Sequence, residues 1–284
     1  MPGRIWVTQW AAASMLATGL ALFATGSLAQ VPSPATQPAK SSESPELWAS
    51  LAKEIFKDRP LTEASDVASL RMPVQYYESS SVPVTIQLDK PATTIRKVTL
   101  VIDQNPAPLA ATIAIGPQSG LTMLSTRVRV DNYTDVHLVA ERLDGSLHDS
   151  KRFVEAAGGC SAQSAKNFDE IAASMGKMTF HEIIAGDIGS VHRREAELTI
   201  RHPNYSGMQM NHATGEYIAA RYIDRLVVKQ GDDLVFEMDG GISMSEDPDI
   251  RFTYLPNGAK TLSVEAHDTE GASWTTKFPI GGAS

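Results

Sequence analysis

Residues 121–130 read LTMLSTRVRV, and this stretch decides the fold class. In an extended chain Val128 and Val130 fall on one side, while Arg127 and Arg129 fall on the other. Such alternation is typical of a β-strand that buries one face. We therefore predict a strand here, with Thr126, Val128 and Val130 on one face and Ser125, Arg127 and Arg129 on the other.

Similar patterns surround this stretch in the first half of the chain. Asp144-Gly145 separates the last two of them and is a strong hairpin signal. About six strands at short spacing, without intervening helices, predict an antiparallel β-sandwich. The other predicted strands are Val82–Leu88, Ile95–Asp103, Pro108–Ile115, Val136–Arg142 and Ser146–Val154.

A second series of strand patterns follows in the last hundred residues. Turn signals at Asn257-Gly258 and Glu270-Gly271 separate its final members. The sequence therefore predicts an all-β protein with two immunoglobulin-like β-sandwich domains, which we expect to pack on each other. The strands of this second series are Glu195–Arg201, Tyr222–Val228, Leu234–Met238, Ile250–Tyr254, Thr261–His267 and Ser273–Ile280.

The N-terminal residues have the pattern of a secretory signal peptide. Arg4 precedes an apolar run, and Ser27-Leu28-Ala29 resembles a cleavage site, so we expect cleavage after Ala29 and a periplasmic product. An uncleaved membrane anchor is the alternative. The formal net charge of −8 becomes more negative when Arg4 is removed, which argues against nucleic-acid binding.

A short helix is predicted before the first sandwich. Ser44 is a suitable N-cap, and Leu47, Trp48 and Leu51 fall on one helical face, which we interpret as a lid on the first domain. The predicted organisation is a signal peptide at 1–29, a disordered leader at 30–43, a helix plus sandwich at 44–155, an arm and connector at 156–189, and a second sandwich at 190–284.

The chain has a single cysteine, Cys160, between the two predicted sandwiches. Gly158 and Gly159 precede it and Ser161 follows, so the linker is predicted to be flexible. Small residues bury little apolar surface, and we expect residues 156–164 to be mobile and exposed to solvent. A lone thiol in an exported protein is buried and inert, pairs with another chain, or is a reactive group, and the glycines favour the reactive interpretation. The alternative is a free cysteine in a linker with no function.

Several segments resemble the two subunits of a known sulfur carrier. The first half is similar to SoxY of the sulfur-oxidation pathway, and the second half is similar to its partner SoxZ. The whole resembles the fused SoxYZ-like carriers associated with quinoprotein dehydrogenases. The segments that carry the resemblance are Val82–Ile86, Val101–Pro108, Ser125–Val130, Lys151–Val154, Gly158–Cys160, His202–Met208 and Ala220–Ile223.

The resemblance implies a function for Cys160. In SoxY, sulfur intermediates of thiosulfate oxidation are bound covalently to a cysteine that lies between two pairs of glycines. Cys160 matches that cysteine. Here Ser161 and Ala162 replace the second pair, and the arm is internal. The resemblance implies a non-enzymatic periplasmic carrier that serves Sox-type or quinoprotein dehydrogenase enzymes. The alternative is a β-sandwich binding module in which Cys160 is idle.

The sequence offers few other candidates for chemistry. A cysteine hydrolase needs an oriented histidine, and His137, His148 and His181 are candidates only by nearness in sequence. Phosphate-binding, dinucleotide and metalloprotease motifs are missing from the sequence, so no catalytic residue and no cofactor is predicted. We interpret His202 as structural.

The stretch 208–212 carries alternate soft donors. Met208, Met210 and His212 could bind copper if this stretch were extended, because thioether and imidazole groups suit Cu(I). The alternative is a loop with incidental methionines, and the sequence does not decide between them.

Overall fold

A computed structural model describes residues 45–89, 94–164, 166–183 and 193–281. The predicted signal peptide, its cleavage site at Ala29, the leader and the Ser44 cap all lie outside the described residues. Within the described ranges, no helix combines the length and apolar character needed to cross a membrane.

The described chain is built almost entirely of strands. The first half contains helix α1 (Pro45–Phe56), a single 3-10 turn (Ser79–Ser81) and strands β1 (Leu61–Glu63), β2 (Ala68–Arg71), β3 (Val82–Leu88), β4 (Ile95–Ile102), β5 (Leu109–Ile115), β6 (Met123–Val128), β7 (Thr134–Arg142) and β8 (Leu147–Val154). The second half contains helix α2 (Phe168–Ser174) and strands β9 (Met178–Ile183), β10 (Arg194–Ile200), β11 (Met210–Asn211), β12 (Glu216–Tyr217), β13 (Ile223–Gln230), β14 (Asp233–Gly240), β15 (Asp249–Tyr254), β16 (Thr261–Asp268) and β17 (Ser273–Pro279).

Two large sheets run through both halves. One has nine strands in the order β1-β8-β7-β4-β5-β14-β13-β16-β17, and the other has six in the order β2-β3-β6-β15-β10-β9. The halves join edge to edge in each sheet, through antiparallel β5–β14 and antiparallel β6–β15 pairs. The predicted all-β, immunoglobulin-like sandwich class is confirmed, and the predicted packing takes the form of shared sheets.

One hydrophobic cluster fills the space between the sheets and draws residues from both halves. Its largest side chains include Phe236 on β14 and Phe252 on β15, whose ring centroids are 5.1 Å apart in an edge-to-face arrangement. Because β14 and β15 are the strands that join the halves, this aromatic pair bridges the two sheets at the junction. The two halves therefore share one core.

Strand β6 follows the predicted alternation as far as Val128. Leu124, Thr126 and Val128 are buried, and Arg127 is exposed. Arg129 departs from this alternation: it shares a face with the exposed Arg127, but it is only 2% exposed. The reason lies beyond the strand, where its guanidinium hydrogen-bonds to the carbonyls of Gly159 and Asn204.

Helix α1 covers the outer face of β7 and β8, as the lid prediction proposed. Its Ala52 and Phe56 form a small apolar cluster with Val139 and Leu147. Trp48 stacks on the ring of His137 with centroids 3.6 Å apart. The helix thus packs on the outside of the sheet and forms a second, smaller apolar cluster in the first half of the molecule.

The hairpin predicted at Asp144-Gly145 is confirmed. Gly145 has φ +84°, which favours glycine, and its N–H donates to the carbonyl of Arg142. Strand β9 was missed in the connector 156–189, and it forms the edge of the six-stranded sheet by pairing with β10. Its pattern mixes His181 and Glu182 with apolar residues and lacks a clear strand alternation, and the strand is paired with β10, the next strand along the chain.

Candidate functional site

Residues 156–164, which we call the arm, leave the end of β8. Gly159 and Cys160 at its centre are buried in a socket between the two halves, whereas Ala157, Gly158, Ser161 and Gln163 are exposed. The N–H of Gly158 donates to the carbonyl of Asp131 at 2.9 Å, and that of Gly159 donates to the carbonyl of Val130 at 3.0 Å. Both acceptors directly follow β6. The strand that was predicted first therefore provides one wall of the socket.

Cys160 is completely buried, with 0% of its surface exposed. Its N–H donates to Asp131 Oδ1 at 3.2 Å, and its carbonyl accepts a hydrogen bond from the Ser206 hydroxyl. The expectation of an exposed thiol is wrong for this structure. The sequence prediction relied on the small residues of the arm and lacked the partners from β6 and from the stretch 202–206.

At Gly159 the arm packs against backbone with no room for a side chain. A Cβ atom at this position would lie 2.1 Å from the carbonyl oxygen of Ser79 and 2.7 Å from that of Val130. Gly158 is different, because its φ of +77° favours glycine while a Cβ there would meet no atom within 4 Å. Gly159 therefore allows the arm to dock closely, and Gly158 allows the backbone to turn. Ser161, which follows Cys160, is exposed.

The thiol is protonated in this docked state. Burial and the nearby Asp131 carboxylate raise the pKa of Cys160 to about 12, although Arg129 acts in the opposite direction. Since the thiolate is the nucleophilic form, the buried thiol is unreactive at neutral pH. In the docked position the sulfur is therefore both buried and protonated.

A cleft of about 480 Å³ lies beside the arm, between the two halves. Most of its charged groups are paired: Arg127 with Asp249, and Asp247 with both Arg201 and Lys166. Gln163 of the arm also lines the cleft. The arm and the cleft thus form one continuous site.

The stretch 202–206 supplies the other wall of the socket. His202 is buried, with Nδ1 2.7 Å from Asn204 Oδ1 and Nε2 3.4 Å from a carboxylate oxygen of Asp268. Asn204, at φ +41°, accepts from Arg129 through its carbonyl, and Ser206 binds Cys160. These contacts fit the structural role predicted for His202. Sequence reasoning missed Asn204 and Ser206 as partners of the arm, although both lie in a segment that carried the SoxZ resemblance.

The three histidines considered for a hydrolase lie elsewhere in the described chain. His137 lies under α1 between Asp103 and Asp149, His148 contacts the Ser146 hydroxyl, and His181 is in β9. Among the residues that the structure describes, no histidine forms a hydrogen bond with Cys160. The geometry brings no catalytic base to the docked thiol.

Met210 and His212 border a shallow, partly apolar hollow next to the arm and are exposed. Met208 lies just before them, and its N–H donates to the Ser206 hydroxyl at 3.2 Å. Over the described ranges, no three side chains of the types His, Cys, Asp and Glu come close enough to hold a metal ion. The soft-metal interpretation of these three residues stays a prediction.

Comparisons with known proteins define the class of this chain. Residues 52–160 match the family "Sulfur oxidation protein SoxY", and residues 190–279 match "Sulphur oxidation protein SoxZ". The first match ends at Cys160 itself. The chain belongs to the SoxY and SoxZ families as one fused SoxYZ-like protein, and the predicted resemblance is confirmed.

This membership indicates a role in sulfur oxidation and interaction with enzymes of that pathway. No curated protein matches the chain. Among solved structures, a superoxide reductase (neelaredoxin) from Ignicoccus hospitalis is similar over 38% of this chain and 90% of its own, with 11% identity and a TM-score of 0.29. That similarity is too low to bear on function.

Proposed function

We propose that this protein is a non-enzymatic periplasmic carrier that holds a sulfur-linked intermediate on Cys160 and presents it to partner enzymes. The observation that carries the proposal is the setting of the only thiol: it lies on a glycine-containing arm between a SoxY and a SoxZ domain. A carrier needs a nucleophilic atom and a backbone that can move it. Both are present in the same short segment.

The docked arm is the resting form of this carrier. Polar contacts from Arg129, Asp131 and Ser206 hold its backbone. A single protein hydrogen bond stabilises by about 0.5–1.5 kcal/mol net, so these contacts together stabilise docking by a few kcal/mol. An undocked form at roughly 0.1–10% is then expected, and a partner that binds it shifts the population.

Docking also explains how one thiol avoids unwanted chemistry. In the socket the thiol is neutral and shielded, whereas in the undocked form solvation returns its pKa towards the ordinary value of about 8.5. The undocked thiol is therefore the form that accepts cargo. Partner enzymes supply the catalytic groups.

The test is Cys160→Ser in the native host, with Ser161→Ala as the matched control because Ser161 is the exposed neighbour. We expect Cys160→Ser to abolish oxidation of reduced sulfur compounds and Ser161→Ala to retain it. Intact mass of wild-type protein from the periplasm should show an adduct that a reductant removes. A fully active Cys160→Ser strain would contradict the carrier proposal.

The burial of Cys160 also suits a second candidate, a binding module with an idle thiol. In that case Cys160→Ser protein is active, and protein from the host carries no adduct. The same two measurements therefore separate the candidates. Protein recovered only from the cytoplasm, with its first 29 residues intact, would contradict the periplasmic location.

A further inference from the structure

Among the described residues, Arg129 is a buried cation without an ionic partner. It is 2% exposed, and its side chain hydrogen-bonds to neutral carbonyls, with Nη1 3.1 Å from Gly159 O and Nη2 3.4 Å from Asn204 O. Its Nε has no hydrogen-bond partner within the described ranges. Buried charges are costly unless they are paired, so an unpaired guanidinium indicates a position that another anion completes.

The surrounding carboxylates do not fill this position. Asp247 and Asp249 are bound by other cations in the cleft wall. Glu246 influences Arg129 electrostatically but makes its ion pair with Lys166 at 3.7 Å. Of the cleft-lining arginines that the structure describes, Arg129 is the one with no carboxylate at ion-pair distance.

The thiol of Cys160 does not neutralise Arg129 either. With a pKa near 12, Cys160 is uncharged at neutral pH. The two side chains are nevertheless close enough to influence each other, and Arg129 hydrogen-bonds to the residue that precedes Cys160. Arg129 therefore contacts the backbone next to Cys160 on one side and lines the 480 Å³ cleft on the other.

We propose that Arg129 is the binding residue for a negatively charged terminal group, such as a sulfonate, on cargo attached to Cys160. This inference rests on the proposed carrier function. The planar guanidinium can donate hydrogen bonds to two oxygens of such a group, and the Nε–H, which is unpartnered among the described residues, is one donor that is free to do so.

Asp131 gives the site a direction. Its carboxylate accepts a hydrogen bond from the Cys160 N–H at 3.2 Å and therefore lies close to the residue to which the cargo is attached. An anionic group is repelled by Asp131 and attracted by Arg129, whose side chain also lines the 480 Å³ cleft. Cys160 is fully buried and is not part of that lining, so the loaded arm must shift for its cargo to extend past Arg129 into the cleft. A cationic group of the same size experiences both forces with the opposite sign, and the docked arm discriminates cargo by charge.

The test loads the purified protein with matched groups. The thiolate attacks the sulfenyl sulfur of a methanethiosulfonate reagent, a disulfide forms, and methanesulfinate leaves. The three probes add 2-sulfonatoethyl, 2-(trimethylammonio)ethyl or 2-hydroxyethyl groups, and intact mass verifies one adduct per chain. The readout is the melting temperature of each loaded form.

We expect the sulfonatoethyl form to melt about 3–6 °C above the trimethylammonio form in the wild-type protein, with the hydroxyethyl form between them. Arg129→Gln should remove this difference and Arg129→Lys should retain part of it. Arg127→Gln is the control, because Arg127 lines the same cleft but is paired with Asp249.

If Arg129 had a purely structural role, Arg129→Gln would shift the melting temperatures of all three loaded forms equally. Equal melting temperatures of the anionic and cationic forms in the wild-type protein overturn the inference, and this comparison needs no variant. Its outcome is independent of the host experiment, because the cargo is attached chemically. The carrier function can therefore hold while the role of Arg129 fails.

Discussion

At Gly159 the backbone packs so closely that no side chain fits. The substitution Gly159→Ala places a Cβ 2.1 Å from the Ser79 carbonyl oxygen, and backbone on both sides cannot move away easily. We expect the arm to leave its socket and the rate of Cys160 modification by a disulfide reagent at pH 8 to rise about 10–100-fold, which follows from losing a few kcal/mol of docking.

Gly158→Ala is the matched control for this prediction. Its φ of +77° makes alanine strained by about 1–2 kcal/mol, but no atom lies within 4 Å of the new Cβ. We expect a smaller rise in its labelling rate than for Gly159→Ala, about 5–30-fold, because releasing this strain on undocking is worth only about 1–2 kcal/mol. Equal rates for both variants and the wild type would show that docking does not limit access to the thiol.

His137 is predicted to give the protein a pH-dependent stability. Burial lowers its pKa, but hydrogen bonds to Asp103 and Asp149 outweigh this and raise the pKa to about 9. The unfolded value is about 6.5, so the folded state binds the extra proton. The resulting stabilisation, about 3 kcal/mol, is complete below pH 6.5 and disappears as the pH rises to 9.

Urea unfolding between pH 6 and pH 9.5 measures this dependence. The experiment is best done in Cys160→Ser protein, because a thiol with a raised pKa also destabilises the fold above pH 8.5. His137→Gln should flatten the profile, whereas His267→Gln, at a partly exposed position, should not. A flat profile in the parent protein would mean that His137 is neutral.

At the scale of elements, helix α1 is expected to stabilise the first half through one aromatic contact. Trp48→Ala removes the ring that stacks on His137 and packs near Phe56. We predict a loss of about 2–4 kcal/mol in the free energy of unfolding and a lower pKa for His137, since an aromatic face favours the protonated ring.

Lys53→Ala provides the comparison for this prediction, because Lys53 is an exposed residue of the same helix. It should change stability by less than about 0.5 kcal/mol. If both variants unfold at the wild-type urea midpoint, α1 contributes nothing to the fold. NMR titration of the His137 ring reports the pKa change directly.

The strands show what could be predicted from the sequence and what could not. Alternation in β6 places Leu124 and Val128 correctly in the core, because burial of one face is a local property of the pattern. The buried Arg129 and the docked Cys160 depend on Asn204 and Ser206, which are distant in sequence. A local pattern contains no information about such partners.

The same limit applies to the joining of the halves. The sequence predicts the strands β5 and β14 separately, since each has its own pattern and its own turn signals. The two strands pair with Ile115 opposite Phe236. The sequence does not predict this pairing, because either strand could pair with the edge of several other strands. The family resemblance pointed to Cys160, but it did not reveal that the thiol is buried.

At the scale of the whole molecule, the shared core predicts one cooperative unfolding transition. Leu124 in the first half and Leu198 in the second belong to the same buried cluster. We expect Leu124→Ala and Leu198→Ala each to destabilise by about 2–5 kcal/mol and to lower the melting temperature of the same single transition.

Differential scanning calorimetry provides the check. The calorimetric and van't Hoff enthalpies should agree for the wild-type protein and both variants. Leu143→Ala is a suitable control because Leu143 is 63% exposed. Two resolved transitions, with each variant shifting only one of them, would show that the halves unfold independently despite their shared sheets.

The arm is anchored at both ends, and this has a geometric consequence. Glu155 is fixed by hydrogen bonding to Val74, and Asn167 caps α2. Extended chain allows the Cα of Cys160 to move at most about 17 Å from the first anchor and about 24 Å from the second. Its positions therefore fill the lens-shaped overlap of two spheres, and under the proposed carrier function any partner that reaches the sulfur must reach into this one volume.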